Sequence, residues 1–229
     1  MALPSLDFAT DAFMTDARKR MVDSQLRPNK VSEPRLVDAM RHLPRERFLP
    51  ASLAALAYAD QNVPLGGGRV MPQPMVLARL VQAAAPVAGE KALVVGAGTG
   101  YSAALLAALG CEVVALEEDA ALLETARSAL AAAAPAVMLV AGPLTAGWPG
   151  GGPYDLILID GAVPGIPAVL AAQLKPGTGR LMAIVANGDG RTSQGTRADP
   201  TPAGVSTRPL FDCPCPLLPG FAPAPAFQF

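Results

Sequence analysis

Histidine is almost missing from this 229-residue chain: His42 is the only one, set in a polar stretch that suits a surface helix. A histidine-rich metal centre is thereby excluded, and a Ser-His-Asp triad has no imidazole unless His42 serves. Cysteine is scarce as well. Cys111, Cys213 and Cys215 are odd in number, and Pro214 alone separates the last two, so neither a disulfide framework nor a zinc site is expected. Aromatic residues make up 5% and charged residues 16% of the chain, with a formal charge of -1 and a pI near 5.8. That balance leaves no basic footprint and argues against nucleic acid as a partner. The small cluster Arg18, Lys19 and Arg20 reads as a solvated helix face. Long apolar runs are also lacking. Mean hydropathy is +0.33, but Gly, Pro or charge breaks every run before the roughly 18 residues a spanning helix needs, so no membrane segment is expected. The N-terminus carries Asp7, Asp11 and Asp16 without the pattern of a signal peptide, which implies a cytoplasmic location. Nothing in the sequence specifies an oligomeric state.

What the chain has in quantity is small apolar residues. At 51% apolar it can bury one main core. The stretch around which the rest is organised is Ala92-Leu-Val-Val-Gly-Ala-Gly-Thr-Gly-Tyr101, a short β-prone run halted by glycines and followed by Ala/Leu-rich sequence. It reads as strand, tight turn and helix. Gly96, Gly98 and Gly100 permit a sharp bend and close approach of a ligand to backbone, and the following helix presents free N–H groups. A dinucleotide fingerprint would place its third glycine where Tyr101 stands, whereas Gly-x-Gly-x-Gly is usual in S-adenosylmethionine-binding turns. A second apolar strand, 112–116, ends in Glu117, about 20 positions past the glycines, where an acid can accept hydrogen bonds from both hydroxyls of an adenosyl ribose. Glu117 also reads, with Glu118 and Asp119, as an acidic start to a helix over 120–134.

Along the chain, residues 1–15 lack a clear pattern. A helix is expected over 16–26, closed by Pro28, and a second over 35–43, started by Ser32 and ended by Pro44. A short helical stretch follows over 51–58. Residues 59–74 hold three consecutive glycines and three prolines and read as an irregular loop, either a substrate-closing loop or a plain linker. After a helix over 75–85 the spacing predicts strands at 92–95, 112–116, 137–140, 154–160 and 180–185, with helices over 102–109, 120–134 and 166–174. Such alternation implies an α/β fold, a Rossmann-like doubly wound and mostly parallel sheet carrying an N-terminal helical extension. The division expected is 1–74 for the extension and substrate loop and 75–229 for the cofactor domain, together forming one compact unit. Residues 187–205 read as loop, 206–218 as an edge strand broken by prolines, and the tail 222–229 as anchored by Phe227 and Phe229.

Several ordered motifs resemble protein-L-isoaspartate O-methyltransferases. They are Met21-Val-Asp-Ser-Gln-Leu-Arg27, Pro34 to Arg41, Pro44-Arg-Glu-Arg-Phe-Leu-Pro50, Ala57-Tyr-Ala-Asp60 and Gln73-Pro-Met-Val76, followed by Leu93 to Tyr101, Glu117, Pro153 to Ile157 and Gln173 to Gly177. The resemblance runs from about 20 to 218 and implies an S-adenosylmethionine-dependent methyltransferase acting on an isoaspartyl or other protein, peptide or small-molecule acceptor. It implies a cofactor site from Gly96, Ala97, Gly98, Thr99, Gly100, Tyr101 and Glu117, with Gly142 and Pro143 opposite the adenine. Three departures stand out. Pro72 occupies the place of a family Ser or Thr that contacts the acceptor, and Gly142-Pro143-Leu144 replaces a Gly-Asp-Gly whose acid faces the adenine. Ile159-Asp160-Gly161 replaces Thr-Ala-Ala. Asp160, with Arg69 and Gln73, is expected to border the acceptor. A carboxylate there would repel an anionic acceptor by about 4 kcal/mol at about 4 Å and an effective dielectric of about 20, unless Arg69 or Arg27 neutralises it. Asp160 also suits a base for a hydroxyl or amine acceptor, or a cap on backbone N–H groups. Two other classes of function fit: a non-catalytic descendant that binds a nucleotide or partner, and a nicotinamide-dependent enzyme disfavoured by Tyr101.

Overall fold

Five apolar strands pair in parallel and two polar ones extend the sheet antiparallel at one edge. This is the arrangement in the computed structural model, which describes residues 8–187 and 192–221. The elements are α1 (Phe8–Met21), α2 (Pro34–His42), the hairpin β1 (Val63–Gly66) and β2 (Arg69–Met71), α3 (Pro74–Ala84), β3 (Lys91–Val95), α4 (Tyr101–Ala108), β4 (Glu112–Glu117), α5 (Ala120–Ala133), β5 (Met138–Ala141), β6 (Leu156–Val163), α6 (Ala168–Ala171), β7 (Arg180–Ala186), β8 (Ser193–Thr201) and β9 (Gly204–Asp212). The chain steps outward from β3 through β4 to β5, then returns to the other side of β3 with β6 and β7. The reversal lies between β3 and β6, and in open sheets of this kind the ligand crevice opens there, at the carboxyl ends of the strands.

The central strands are apolar on both faces because both faces are covered. Ala92 and Val94 of β3, Leu156 and Leu158 of β6 and Met182 and Ile184 of β7 join one buried layer with Met21, Leu36, Leu77 and Leu105. Their alternates Leu93, Val95, Ile157, Ile159, Leu181 and Ala183 join a second layer with Leu144 and Leu170. Residues of the N-terminal extension and of the sheet domain thus share one core. Among the described residues no helix is long and apolar enough to cross a membrane.

Several expectations need correction. Helix α1 already runs through 8–15, and a π-helical turn, Val22–Leu26, continues it up to the Pro28 region. Glu33, not Ser32, caps α2: its carboxylate accepts from Leu36 N at 2.5 Å, which Ser32 is one residue too early to do. The loop 59–74 contains the antiparallel β1–β2 hairpin, whose tip Gly66, Gly67 and Gly68 all take positive φ. The expected helix 166–174 shrinks to the single turn α6 after Pro167. Residues 193–201, expected as loop, form β8, recruited by β7 on one side and β9 on the other. The proposed anchors Phe227 and Phe229 lie outside the described residues.

Candidate functional site

The three-glycine turn is tied to the neighbouring strand before it meets any ligand. Gly96 N and Ala97 N both donate to Leu116 O at 3.0 Å, and Gly100 N closes the turn on Ala97 O at 2.8 Å. Gly96, Gly98 and Gly100 have φ of +74°, +57° and +98°, so each needs the freedom only glycine has. Gly100 has a second reason to lack a side chain: a Cβ there would lie 2.9 Å from Leu130 of α5. Thr99 and Tyr101 are buried. Tyr101 packs edge-on to Phe48 at 5.4 Å, with the Arg45 guanidinium 4.8 Å from its ring centroid.

Glu117 ends β4, fully buried beside this turn. Gly98 N (2.7 Å) donates to one of its oxygens, and Glu118 N (2.9 Å) and Asp119 N (3.0 Å) donate to the other. Arg69 then adds a two-pronged ion pair, Nη1 at 2.7 Å and Nη2 at 2.8 Å, and Nη2 also reaches Gly96 O at 2.8 Å. Sequence separation hid this pairing: the hairpin carries Arg69 across 48 residues onto the glycine turn. Asp119, the third acid, caps α5 by accepting from Ala121 N and Leu122 N, while Glu118 accepts from Leu144 N at 3.1 Å in the loop after β5. In that loop Gly142 N donates to Glu117 O at 3.1 Å, and Pro143 leads into a 3-10 turn.

Asp160 sits in β6 one residue past the end of β3, since Val95 pairs with Ile159. Its Oδ2 accepts from Ser102 Oγ at 2.6 Å. Burial pushes its pKa up to about 6, against the Ser102 hydrogen bond and the Arg69 and Arg45 charges, which lower it; Glu117 adds a smaller upward push. Arg45, fully buried, donates from Nε to Ala57 O at 2.8 Å and from Nη2 to the carbonyl of Pro72. Burial lowers its pKa, and Tyr101 and Asp160 oppose that shift. Gln73 is turned elsewhere: its backbone N–H donates to Asn62 Oδ1 and its amide to Asp60 O, and no hydrogen bond joins it to Asp160. Arg27 is exposed beside Asp23 at 3.6 Å. Arg69 is paired with Glu117 and, like Arg45, acts on Asp160 only through its charge.

Two segments lie over the turn. Leu65 of the hairpin stands where a Cβ on Gly98 would meet it at 3.3 Å, and Leu218 fills the space over Gly96 and Gly161, with a Gly161 Cβ only 2.5 Å away. Residues 213–221 are held by Ala162 N to Pro216 O at 3.3 Å, Leu218 N to Ala162 O at 2.8 Å and Asn62 Nδ2 to Pro214 O at 3.0 Å. Sequence reading missed Arg45, Ser102 and Leu218. A charged residue in the Phe48-containing motif was the available signal for Arg45; nothing local pointed to Leu218. Among the described residues, Arg69 Nε and Thr99 Oγ1 are buried at this turn without a hydrogen-bond partner; Arg45 Nη1 and the Tyr101 hydroxyl, buried beside it, face each other, and Arg18 Nε and Gln25 Oε1 are open elsewhere. Buried polar atoms left open at one place mark room for a polar ligand.

Sheet order, glycine turn and strand-terminal acid together define a Rossmann-like methyltransferase fold. A solved protein-L-isoaspartate O-methyltransferase superposes with a TM-score of 0.75 at 23% identity, over 88% of this chain and 65% of that one. The corresponding Plasmodium falciparum structure, in complex with S-adenosyl-L-homocysteine, gives 0.73 at 17% identity over 89% and 98% of the two chains. The family described as protein-L-isoaspartate(D-aspartate) O-methyltransferase matches residues 16–201, and the chain belongs to it. Relatives named protein-L-isoaspartate O-methyltransferase from Methylorubrum extorquens and Methylorubrum populi are each 45% identical. The first match covers 77% of both chains, the second 78% of this chain and 84% of that one. None of these relatives supports the non-catalytic reading.

Proposed function

We propose that this chain methylates isoaspartyl carboxyl groups of proteins, with S-adenosylmethionine as methyl donor. The observation that carries the reading is the buried Glu117 carboxylate beside the Gly96 to Gly100 turn, in a chain whose family is named for this transfer. The residues present suit that cofactor. Glu117 stands where its oxygens would meet a ribose diol once Arg69 gives way, the Thr99 hydroxyl is open at the turn, and Gly142 and Pro143 would border the adenine side. When bound, the cofactor supplies an electrophilic methyl group on sulfonium sulfur.

The acceptor carboxylate is itself the nucleophile, so no residue need remove a proton. What the chain contributes is position, charge balance and dryness. Arg45 partly offsets Asp160, which is anionic above about pH 6, and Arg69 adds to it whenever Glu117 is otherwise engaged, so that a second carboxylate can approach. Leu65 and Leu218 cover the turn and exclude water. Pro72 has no hydroxyl to offer the acceptor, but its carbonyl fixes Arg45 and thereby the base of the acceptor loop.

The test is calorimetric titration with S-adenosylmethionine and S-adenosylhomocysteine, then transfer of labelled methyl to an isoaspartyl peptide and its aspartyl twin. Micromolar cofactor binding, about -8 kcal/mol, with methylation of the isoaspartyl peptide alone is the expected result. Pro72→Ser should raise turnover. Cofactor binding without methylation of either peptide by wild type or Pro72→Ser would move the reading to another acceptor.

A further inference from the structure

Glu117 is saturated. A carboxylate has about four lone-pair sites, and this one already receives five hydrogen bonds. Three come from backbone N–H groups of the turn and of the start of α5, which cannot leave without dismantling the strand end. The other two come from Arg69. A diol that bonds both oxygens of Glu117 must therefore replace the guanidinium, the one donor free to go. Its mounting suits departure: Arg69 sits on a three-residue strand of a two-stranded hairpin separate from the main sheet, next to a glycine tip. Its Nε has no partner even in the closed arrangement.

We propose that Arg69 is a built-in competitor for the cofactor's ribose at Glu117, and that its displacement frees the guanidinium to receive the acceptor's carboxylate. The inference rests on the reading above, in which a ribose-bearing cofactor and a carboxylate acceptor meet here. A buried guanidinium cannot stay unpaired. Asp160 feels the charges of both Arg69 and Arg45, but its carboxylate already accepts from Ser102 and keeps Arg45 as a second cation. Before the cofactor binds, Glu117 neutralises Arg69 and an incoming carboxylate meets the Asp160 charge. After it binds, the same carboxylate meets a free cation. Cofactor and acceptor are thereby coupled through one side chain, and each tightens the other by the same factor.

Titration calorimetry on the full chain tests this, with S-adenosylhomocysteine as cofactor probe and an isoaspartyl peptide as acceptor. In wild type the peptide should tighten S-adenosylhomocysteine binding at least tenfold. Arg69→Met, lacking the competitor, should bind S-adenosylhomocysteine alone about tenfold tighter, with no further gain from peptide. Arg69→Lys keeps the charge but not the fork, and should fall between the two. Because Arg69→Met leaves Glu117 without its cation, folding is checked by circular dichroism. If that variant fails to fold, the wild-type coupling and Arg69→Lys decide. Binding with no peptide coupling in wild type, or unchanged or weaker cofactor binding in a folded Arg69→Met, overturns the proposal. If S-adenosylhomocysteine binds neither wild type nor a folded variant, the cofactor reading itself falls and takes this inference with it.

Discussion

The floor of the site and its cover are held by different forces. The floor consists of the ends of β3, β4 and β6 and the turn Gly96 to Gly100, fixed by backbone hydrogen bonds such as Gly96 N and Ala97 N to Leu116 O. The cover, β1–β2 and residues 213–221, is attached mostly through side chains, Arg69 on Glu117, Leu65 over Gly98, Leu218 over Gly161 and Asn62 on Pro214, with only a short backbone bridge from Ala162 to Pro216 and Leu218 beneath it. A floor of that kind cannot move without unfolding the sheet, whereas the cover can lift away at the expense of a few contacts. The comparison predicts that equivalent changes are expensive below and mild above.

The largest effect is expected at Gly100. Its φ of +98° and the 2.9 Å approach of Leu130 leave no room even for a Cβ, so Gly100→Ala should destabilise by about 3 kcal/mol or more in urea unfolding. Gly67, at the tip of the cover, also has positive φ (+55°) but only Asp119 at 3.6 Å, and Gly67→Ala should cost about 1 kcal/mol. Similar losses at the two sites would break the distinction.

Asp160 sharpens the comparison by pH. Its folded-state pKa, raised to about 6 from 3.8, lies above the unfolded value. The stabilisation linked to its proton is then fully present below about pH 4 and is lost as pH rises through 6. At about 1.4 kcal/mol per unit the loss is about 3 kcal/mol. Asp160→Asn keeps an acceptor for Ser102 without the buried charge. It should remove this pH dependence and be more stable than wild type at pH 7.5 by roughly 2–3 kcal/mol. Chemical denaturation at pH 4.5 and pH 7.5 reads both, and equal gains at the two values would place the effect in packing and not in charge.

The same division explains what could be read in the sequence. The floor was largely legible: β3, the glycine turn, α4, β4 and the acid follow one another within 27 residues, each with its own periodicity, and the limits of β3 and β4 fall within a residue of expectation, those of β6 within two or three. The cover was not. Pro64 and Gly66 to Gly68 erase the alternation that marks a hairpin, and β8, with Gln194, Gly195, Arg197, Asp199 and Pro200, is a strand only because β7 and β9 pair with it. Arg69 and Glu117 were both singled out as site residues, yet nothing local in either stretch states that they meet. Asp160 was visible at the strand end, but its pKa depends on Ser102, Arg69 and Arg45, which only the tertiary fold assembles.

Leu218 carries a smaller prediction. It is buried, and a Leu→Ala change in a rigid core costs about 2–5 kcal/mol. Here the segment can settle into the space left over Gly96 and Gly161, so Leu218→Ala should fall at or below the lower end, about 1–2 kcal/mol. A loss of 4 kcal/mol or more would make residues 213–221 part of the floor.

Thiol labelling sets the smallest effect against the same distinction. Burial holds all three cysteines well above the usual thiol range, Cys111 and Cys213 at about 11 and Cys215 at about 12, so each reacts slowly while covered. Cys111 lies before the far end of β4, in the sheet that carries the floor, its N–H bonded to Leu106 O, and exposing it fully means separating α4 from the sheet. Cys215 belongs to the cover, and lifting residues 213–221 is enough. In a Cys213→Ser background at pH 8, Cys215 labelling should change less than about twofold below the unfolding transition in urea, because local opening exposes little surface. Cys111 labelling should rise steeply with urea, in step with global unfolding. Leu218→Ala should speed Cys215 several-fold and leave Cys111 unchanged in proportion. Parallel urea dependences for the two thiols would mean that cover and floor open together, and that the Arg69 hairpin is the only part of the site able to move alone.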